Sequence, residues 1–271
     1  MGMTTRVAAL AVVLLAAASG GRAAEEAVSL RYVFRTGEVW REKATLSIEM
    51  LSPTGEVLSR REASWTDRVE VASVSTQGSA LLRRTPANDR AAREPVEVTV
   101  SDRGAYALSH GPAGEAEGMF ASAVASRAPV LPEGPLATGA ERTREMTLRW
   151  AEAELVVAET ATVARFEKVD GMERAVVKLR RTGRPAAEAL SVAALAASPR
   201  GALIAGTWET TISVDVSGSS GAGELEFDVA AGRLISYRME ETLGLAVRFG
   251  PTALQRTGRI TFTLRRLPER E

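Results

Sequence analysis

The sequence predicts a mainly β protein: a long, curved, half-barrel-like antiparallel sheet with two short helices. Three observations predict it. Apolar residues recur at every second position through most of the chain, glycine, aspartate and proline separate those runs, and several runs exceed the usual strand of about five or six residues.

The first segment reads differently. Arg6 precedes an apolar run from Val7 to Ala18, and small residues follow through Ala24. That is the order of a secretory signal: a basic start, a short greasy stretch and a small-residue cleavage zone. The run is shorter than the roughly 20 residues a bilayer span takes. Residues 1–24 are therefore expected to be removed. Residues 25–271 are expected to be exported to the periplasm or outside the cell, with no membrane-spanning segment after cleavage.

The alternation starts at Leu30, Tyr32 and Phe34, and resumes after Gly37 at Trp40, Ala44, Leu46, Ile48 and Met50. Ser52 to Glu56, with Pro53 and Gly55, reads as a hairpin turn. The return strand puts Trp65, Asp67, Val69 and Val71 on one face. Further strands follow at Val96–Val100, at Met146, Leu148 and Trp150, at Val177 and Leu179, and at Ile212, Val214 and Val216. Leu225 with Phe227, and Ile260, Phe262 and Leu264, complete the pattern. Turns are expected at Asp102–Gly104, Asp170–Gly171, Ser217–Gly223 and Ala231–Gly232. The stretches Arg41–Leu51, Glu141–Val157 and Arg233–Phe249 carry no strong breaker except Gly244 and read as long strands.

Two segments change period. Met119, Phe120, Ala123 and Val124 fall at helical spacing within Glu115–Arg127. Leu190, Ala194 and Ala197 form a stripe within Ala186–Ala197, bracketed by Pro185 and Pro199. The segment from Arg68 to Thr85 resembles that from Thr162 to Gly183, and Val96–Leu108 resembles Leu225–Tyr237. The exported chain is thus either one undivided β domain or two related halves, 25–127 and 140–271, joined by a proline-rich connector over 128–139.

Lysine plus arginine and aspartate plus glutamate both number 34. Cleavage after Ala24 would delete Arg6 and Arg22 and no acid, leaving a net charge of −2. No basic excess exists to hold a phosphate backbone, so a nucleic-acid partner is not expected. The chain has no cysteine and one histidine, His110. Disulfides, thiolate metal sites and cysteine nucleophiles are excluded, and so is an ordinary zinc or copper site. A serine hydrolase triad would need His110 and a Gly-x-Ser-x-Gly elbow, which the sequence lacks. The glycine run Gly218–Gly223 lacks the Gly-Lys-Ser/Thr ending of a phosphate loop. Glu152 with Glu154, and Glu224 with Glu226, sit two apart on strands whose apolar neighbours face the other way, the pattern of a solvated face. Neither a catalytic residue nor a cofactor is expected.

Three stretches carry a resemblance. "LRYVFRTGEVWR" from Leu30, "LPEGPLATG" from Leu131 and "GELEFDVAAGRLISY" from Gly223 resemble an uncharacterised family of exported bacterial β-rich proteins. Its members carry a Tyr-x-Phe-x-x-Gly-Glu opening, an LP-x-x-P-x-x-x-G connector and a Gly-x-x-x-Phe-Asp-x-x-x-Gly-x-Leu turn. This chain departs at Arg142, where an aromatic is often found. The resemblance implies a fold and no activity. A long sheet with helices across it is also similar in architecture to the lipoprotein-carrier half-barrel, which by itself says nothing of function.

The large side chains suggest the remaining candidates. Trp40, Trp65, Trp150 and Trp208 would line a greasy hollow if the sheet curves around them. The leading expectation is a non-enzymatic envelope protein that binds a lipid or other hydrophobic ligand on a concave face. The alternative is a structural or assembly protein that meets another envelope component through its sheet edges or outer face.

Overall fold

The computed structural model describes residues 27–87, 95–110, 128–150, 153–185, 212–249 and 252–268. They form thirteen strands and, among the described residues, no helix. The first are β1 (Val28–Ser29), β2 (Val39–Leu51), β3 (Val57–Val74), β4 (Ala80–Pro86), β5 (Val96–Val100) and β6 (Tyr106–His110). Then come β7 (Pro135–Leu136), β8 (Glu141–Trp150), β9 (Ala153–Val169) and β10 (Met172–Pro185). The last are β11 (Ile212–Asp228), β12 (Arg233–Phe249) and β13 (Thr252–Leu267). The two helices expected over Glu115–Arg127 and Ala186–Ala197 lie outside the described residues.

Eleven strands make one antiparallel sheet in the order β6-β5-β4-β3-β2-β13-β12-β11-β10-β9-β8. The sheet is open, with β6 and β8 at its edges. The chain enters at β2 in the middle and meanders outward to β6. It resumes at the opposite edge with β8 and meanders back until β13 pairs with β2, from Thr257 opposite Leu51 to Leu267 opposite Arg41. Gly78 and Gly171 turn the second strand of each meander into the third, and Gly104 and Gly232 turn the fourth into the fifth.

Local chemistry explains the turns. Asp170 and Gly171, both at positive φ (51° and 81°), make the two-residue link between β9 and β10. Two positive φ values suit the right-handed twist of paired strands. Ser52 Oγ accepts from the Glu56 N–H at 3.0 Å, and Gly55 takes φ 84° in the β2–β3 turn.

Three expectations are corrected. Glu141–Val157 is not one strand, because Trp150 pairs with Ala153 and the chain reverses between them. Ser217–Gly223 is not a turn either; it lies inside β11, paired with both β10 and β12. Glycine in an interior strand marks a close approach of neighbouring groups. A Cβ on Gly223 would run into the Arg238 carbonyl and the Met239 thioether. The alternation at Leu30, Tyr32 and Phe34 makes no long strand, since only Val28–Ser29 pairs, with β7. The Tyr32 N–H bonds the Asp102 carbonyl and the Val33 N–H that of Gly232, so this segment is tied to two hairpin turns.

The alternation gives the sheet an inner and an outer face. On the inner face Ala44, Val163, Val177, Leu225, Phe262 and Leu264 form a continuous core across β2 and β9–β13. Leu30, Ala128, Leu131 and Leu136 cover it from the second layer. Phe227, fully buried, contributes about 1.5–3 kcal/mol through its ring. A neighbouring cluster on β2–β5 holds Trp40, Val69, Val71, Leu82, Val98 and Val100.

Candidate functional site

The three stretches that carry the family resemblance come together at one end of the inner face. Tyr32 stacks on Phe34 with centroids 5.6 Å apart and planes 1° apart. Its edge meets Phe227 at 5.3 Å and 89°. Leu131 of the connector shares their cluster. Arg103, from the β5–β6 turn, donates through Nη1 to the Leu30 carbonyl at 2.8 Å and the Pro132 carbonyl at 2.7 Å. One guanidinium thereby clamps both covering segments. Gly104 beside it has φ 88°, and a Cβ there would sit 2.7 Å from both the Pro129 carbonyl and the Tyr32 ring. Only glycine fits such a contact.

Glu38 closes this end. Its Oε1 accepts from Arg233 and Arg266, each at 3.0 Å. The Arg266 guanidinium lies 4.7 Å over the Trp40 ring, a cation–π contact. Between them is a cavity of about 30 Å³, lined by Tyr32, Phe34, Trp40, Glu42, Tyr106 and Arg233 among others. That is the space of a water or two and far short of an acyl chain.

Behind the cavity lies the first of two buried ionic networks. Arg84 donates to Glu42 at 2.5 Å and to Asp67 at 3.1 Å, and all three side chains are under a tenth exposed. Trp40 Nε1 donates to the other Glu42 oxygen at 3.4 Å. Two acids share one arginine, with Tyr106 hydrogen-bonded to it. Burial opposes the Arg84 charge, but Glu42, Tyr106 and Asp67 together outweigh it and raise its pKa above the ordinary arginine value. Burial lifts the Asp67 carboxyl above its ordinary 3.8, against the pull of Arg84. Tyr32 and Tyr106 are raised chiefly by burial and held protonated, the Glu42 charge adding to the effect.

The second network crosses the same face on β8, β9, β10 and β12. Arg144 reaches Glu159 at 2.6 Å, Arg181 reaches Glu159 at 2.7 Å, and Arg181 also reaches Glu241 at 2.7 Å. Between β10 and β12 the register places Gly221 of β11 opposite both Arg181 and Glu241. Any side chain there would stand where the guanidinium crosses; a Cβ would lie 3.0 Å from Glu241 Cγ. Burial opposes the Arg181 charge, while Tyr237, Glu159 and Glu241 outweigh it and raise its pKa above the ordinary arginine value. Two arginines balance two glutamates here, whereas the first network holds one acid in excess. Every carboxylate in the two networks has an arginine, so neither offers a free general base.

The four tryptophans do not assemble. Trp40 and Trp65 share the inner face, but Trp40 is buried in one cluster and Trp65 packs partly exposed against the other. Trp150 ends edge strand β8, six strands from β2 in the sheet. Trp208 lies outside the described residues. Of the six buried charges, sequence reading put Asp67 on an apolar face and missed the other five, although a signal existed. Glu42, Asp67, Arg84, Glu159, Arg181 and Glu241 each occupy an apolar phase of an alternating strand, where a charge needs a partner across the sheet.

No known family model matches the chain, and no curated protein matches it. Among solved structures, a conserved protein of unknown function with a hot dog fold from Alicyclobacillus acidocaldarius aligns over 87% of this chain and 81% of its own. Identity is 12% and the TM-score 0.12, a similarity too slight to support any statement on fold or function.

Proposed function

We propose that this chain is a non-enzymatic protein of a bacterial envelope, exported to the periplasm or beyond, that binds another envelope component through an exposed strand. One observation carries the reading: every residue of β3 from Val57 to Ser64 is exposed, whichever face it points to. β2 pairs with this stretch on one side, while among the described residues β4 joins β3 only from Asp67 onward. Val57 and Leu58 are about half exposed. A strand edge of this length is a template for another chain, and Arg60, Arg61 and Glu62 are the kind of residues that keep it from unselective pairing. Because the chain has no cysteine, Leu58→Cys introduces a single thiol for a photo-crosslinker. In native envelopes a discrete adduct is expected from Leu58→Cys and not from Lys178→Cys. Equal labelling from both positions would overturn the reading.

A second reading keeps a hydrophobic ligand on the inner face of a half-barrel-like sheet, away from the scattered tryptophans. The observation in its favour is a second apolar field on the inner face beyond the Arg181 network, formed by Leu155, Val157, Val216, Leu243, Leu245 and Ile260. Native mass spectrometry with solvent extraction decides it. A stoichiometric lipid supports this reading, and a clean apo mass removes it.

A further inference from the structure

The outer face of the sheet follows a charge rule and breaks it in one place. Where charged residues stand directly opposite each other on neighbouring strands, their signs are opposite. Glu49 faces Arg60 and Arg259, and Arg83 faces Glu70 and Glu97. On adjoining rows at the centre of the sheet the signs agree instead: Arg41 faces Arg68, and Lys43 faces Arg265. Like charges directly opposite destabilise a strand pair. The inner face has its own like-charged pair, Glu42 opposite Asp67, but Arg84 bonds both acids. On the outer face one cation of the four has a counter-ion among the described residues. Glu70 binds Arg68 at 2.8 Å, and among the described residues no carboxylate lies in ion-pair range of Arg41, Lys43 or Arg265.

The surroundings of these cations indicate what they meet. The row through Lys43 and Arg265 runs from Thr66 through Ser236 to Glu226 on β11, and the next carries Ser64, Thr45, Thr263 and Arg238 before Glu224. From β3 to β12 those two rows present hydroxyls and cations, and their carboxylates stand beyond, on β11. A protein interface is energetically dominated by several buried aromatic or aliphatic anchors, and among the described residues this patch offers Leu267 alone, opposite Arg41. Phosphate headgroups ask for what it has: exposed cations flanked by hydroxyl donors on the face of a sheet.

We propose that the outer face around Arg41, Lys43, Arg68 and Arg265 docks the protein on the surface of an anionic phospholipid bilayer, headgroup to side chain, without insertion. This contact is separate from the exposed strand at Val57–Ser64 and stands or falls without it.

The test is sedimentation of the protein with vesicles of phosphatidylcholine alone or with about 30 mol% phosphatidylglycerol, at about 50 and 500 mM salt. Binding is expected only with phosphatidylglycerol at low salt. Each cation at an anionic surface contributes about 1 kcal/mol, so Lys43→Gln with Arg265→Gln should weaken binding roughly 30-fold. The same two charges removed at Lys178 and Arg180, on the outer face of β10, should leave it within about 3-fold. Lys43→Glu adds a second readout: it places opposite charges across the strand pair, so the melting temperature should hold or rise while binding falls. Failure of the unaltered protein to bind phosphatidylglycerol vesicles, or equal loss from the Lys178/Arg180 variant, overturns the proposal. So does retained binding at high salt.

Discussion

Asp67 is the residue whose chemistry makes the sharpest demand. Its carboxyl is buried, shares Arg84 with Glu42 and has its pKa raised above 3.8, with burial the largest cause. The folded state therefore holds this proton more tightly than the unfolded chain does. Asp67 favours folding fully below about 3.8, and that contribution is lost as pH climbs through the raised folded value. Asp67→Asn removes the titration. Its stability relative to the unaltered protein should increase over the window that opens near pH 3.8 as pH climbs, followed by urea unfolding at a series of pH values. A difference that stays flat across that window would show that the carboxylate is better compensated than burial implies. Reading the sequence alone put Asp67 on the face of Trp65, Val69 and Val71, which is where it lies. What could not be read was Arg84 across the strand pair, because register was not yet known.

At the scale of elements, β11 is the most informative strand. Its "SGSSGAG" run has every local mark of a turn, and the tertiary context overrides it. Gly221 leaves the passage through which Arg181 reaches Glu241. Gly221→Val should fill that passage, separate the pair and cost about 3–5 kcal/mol, as when a buried ion pair loses one partner. Ser220→Val, next door on the outer face, should change stability by less than about 0.5 kcal/mol. Chemical denaturation measures both, and similar losses from the two would sink the account of Gly221. Legibility followed the local chemistry. Asp170–Gly171 and Ser52–Glu56 were readable because positive-φ and side-chain-capped turns have residue signatures. The reversal after Trp150 was not, because Ala151 and Glu152 carry none. The matched turns at Gly78 and Gly171, and at Gly104 and Gly232, favour two related halves, which we keep as a proposal.

For the whole molecule, what matters is how its distant parts meet. Tyr32, Leu131 and Phe227 converge in one cluster, so the resemblance motifs mark the closure of the fold as much as any surface. That convergence was invisible in the sequence, which showed three separate motifs and no reason for them to touch. The last strand, β13, joins the two meanders by pairing with both β12 and β2. A chain stopped at Phe249 should therefore lose far more than one strand's share of stability. It leaves the edges of β2 and β12 open and uncovers Phe262 and Leu264 neighbours such as Tyr237 and Ala44. Circular dichroism and dye binding should report a collapsed, poorly packed species in place of a shortened native one. A truncated chain that melts as cooperatively as the full one would show that the halves stand alone.

The placement of β13 also sets a clock. A chain delivered amino end first presents β2 before its central partner exists, and that partner arrives only with Thr252–Leu267. The pairing of Arg41 with Leu267 spans nearly the whole described sequence, so it forms against the full loop-closure entropy and late in folding. Until then β2 is an unsealed edge on an unfinished sheet. Any route that carries this chain across a membrane finds it unable to lock until almost all of it has passed.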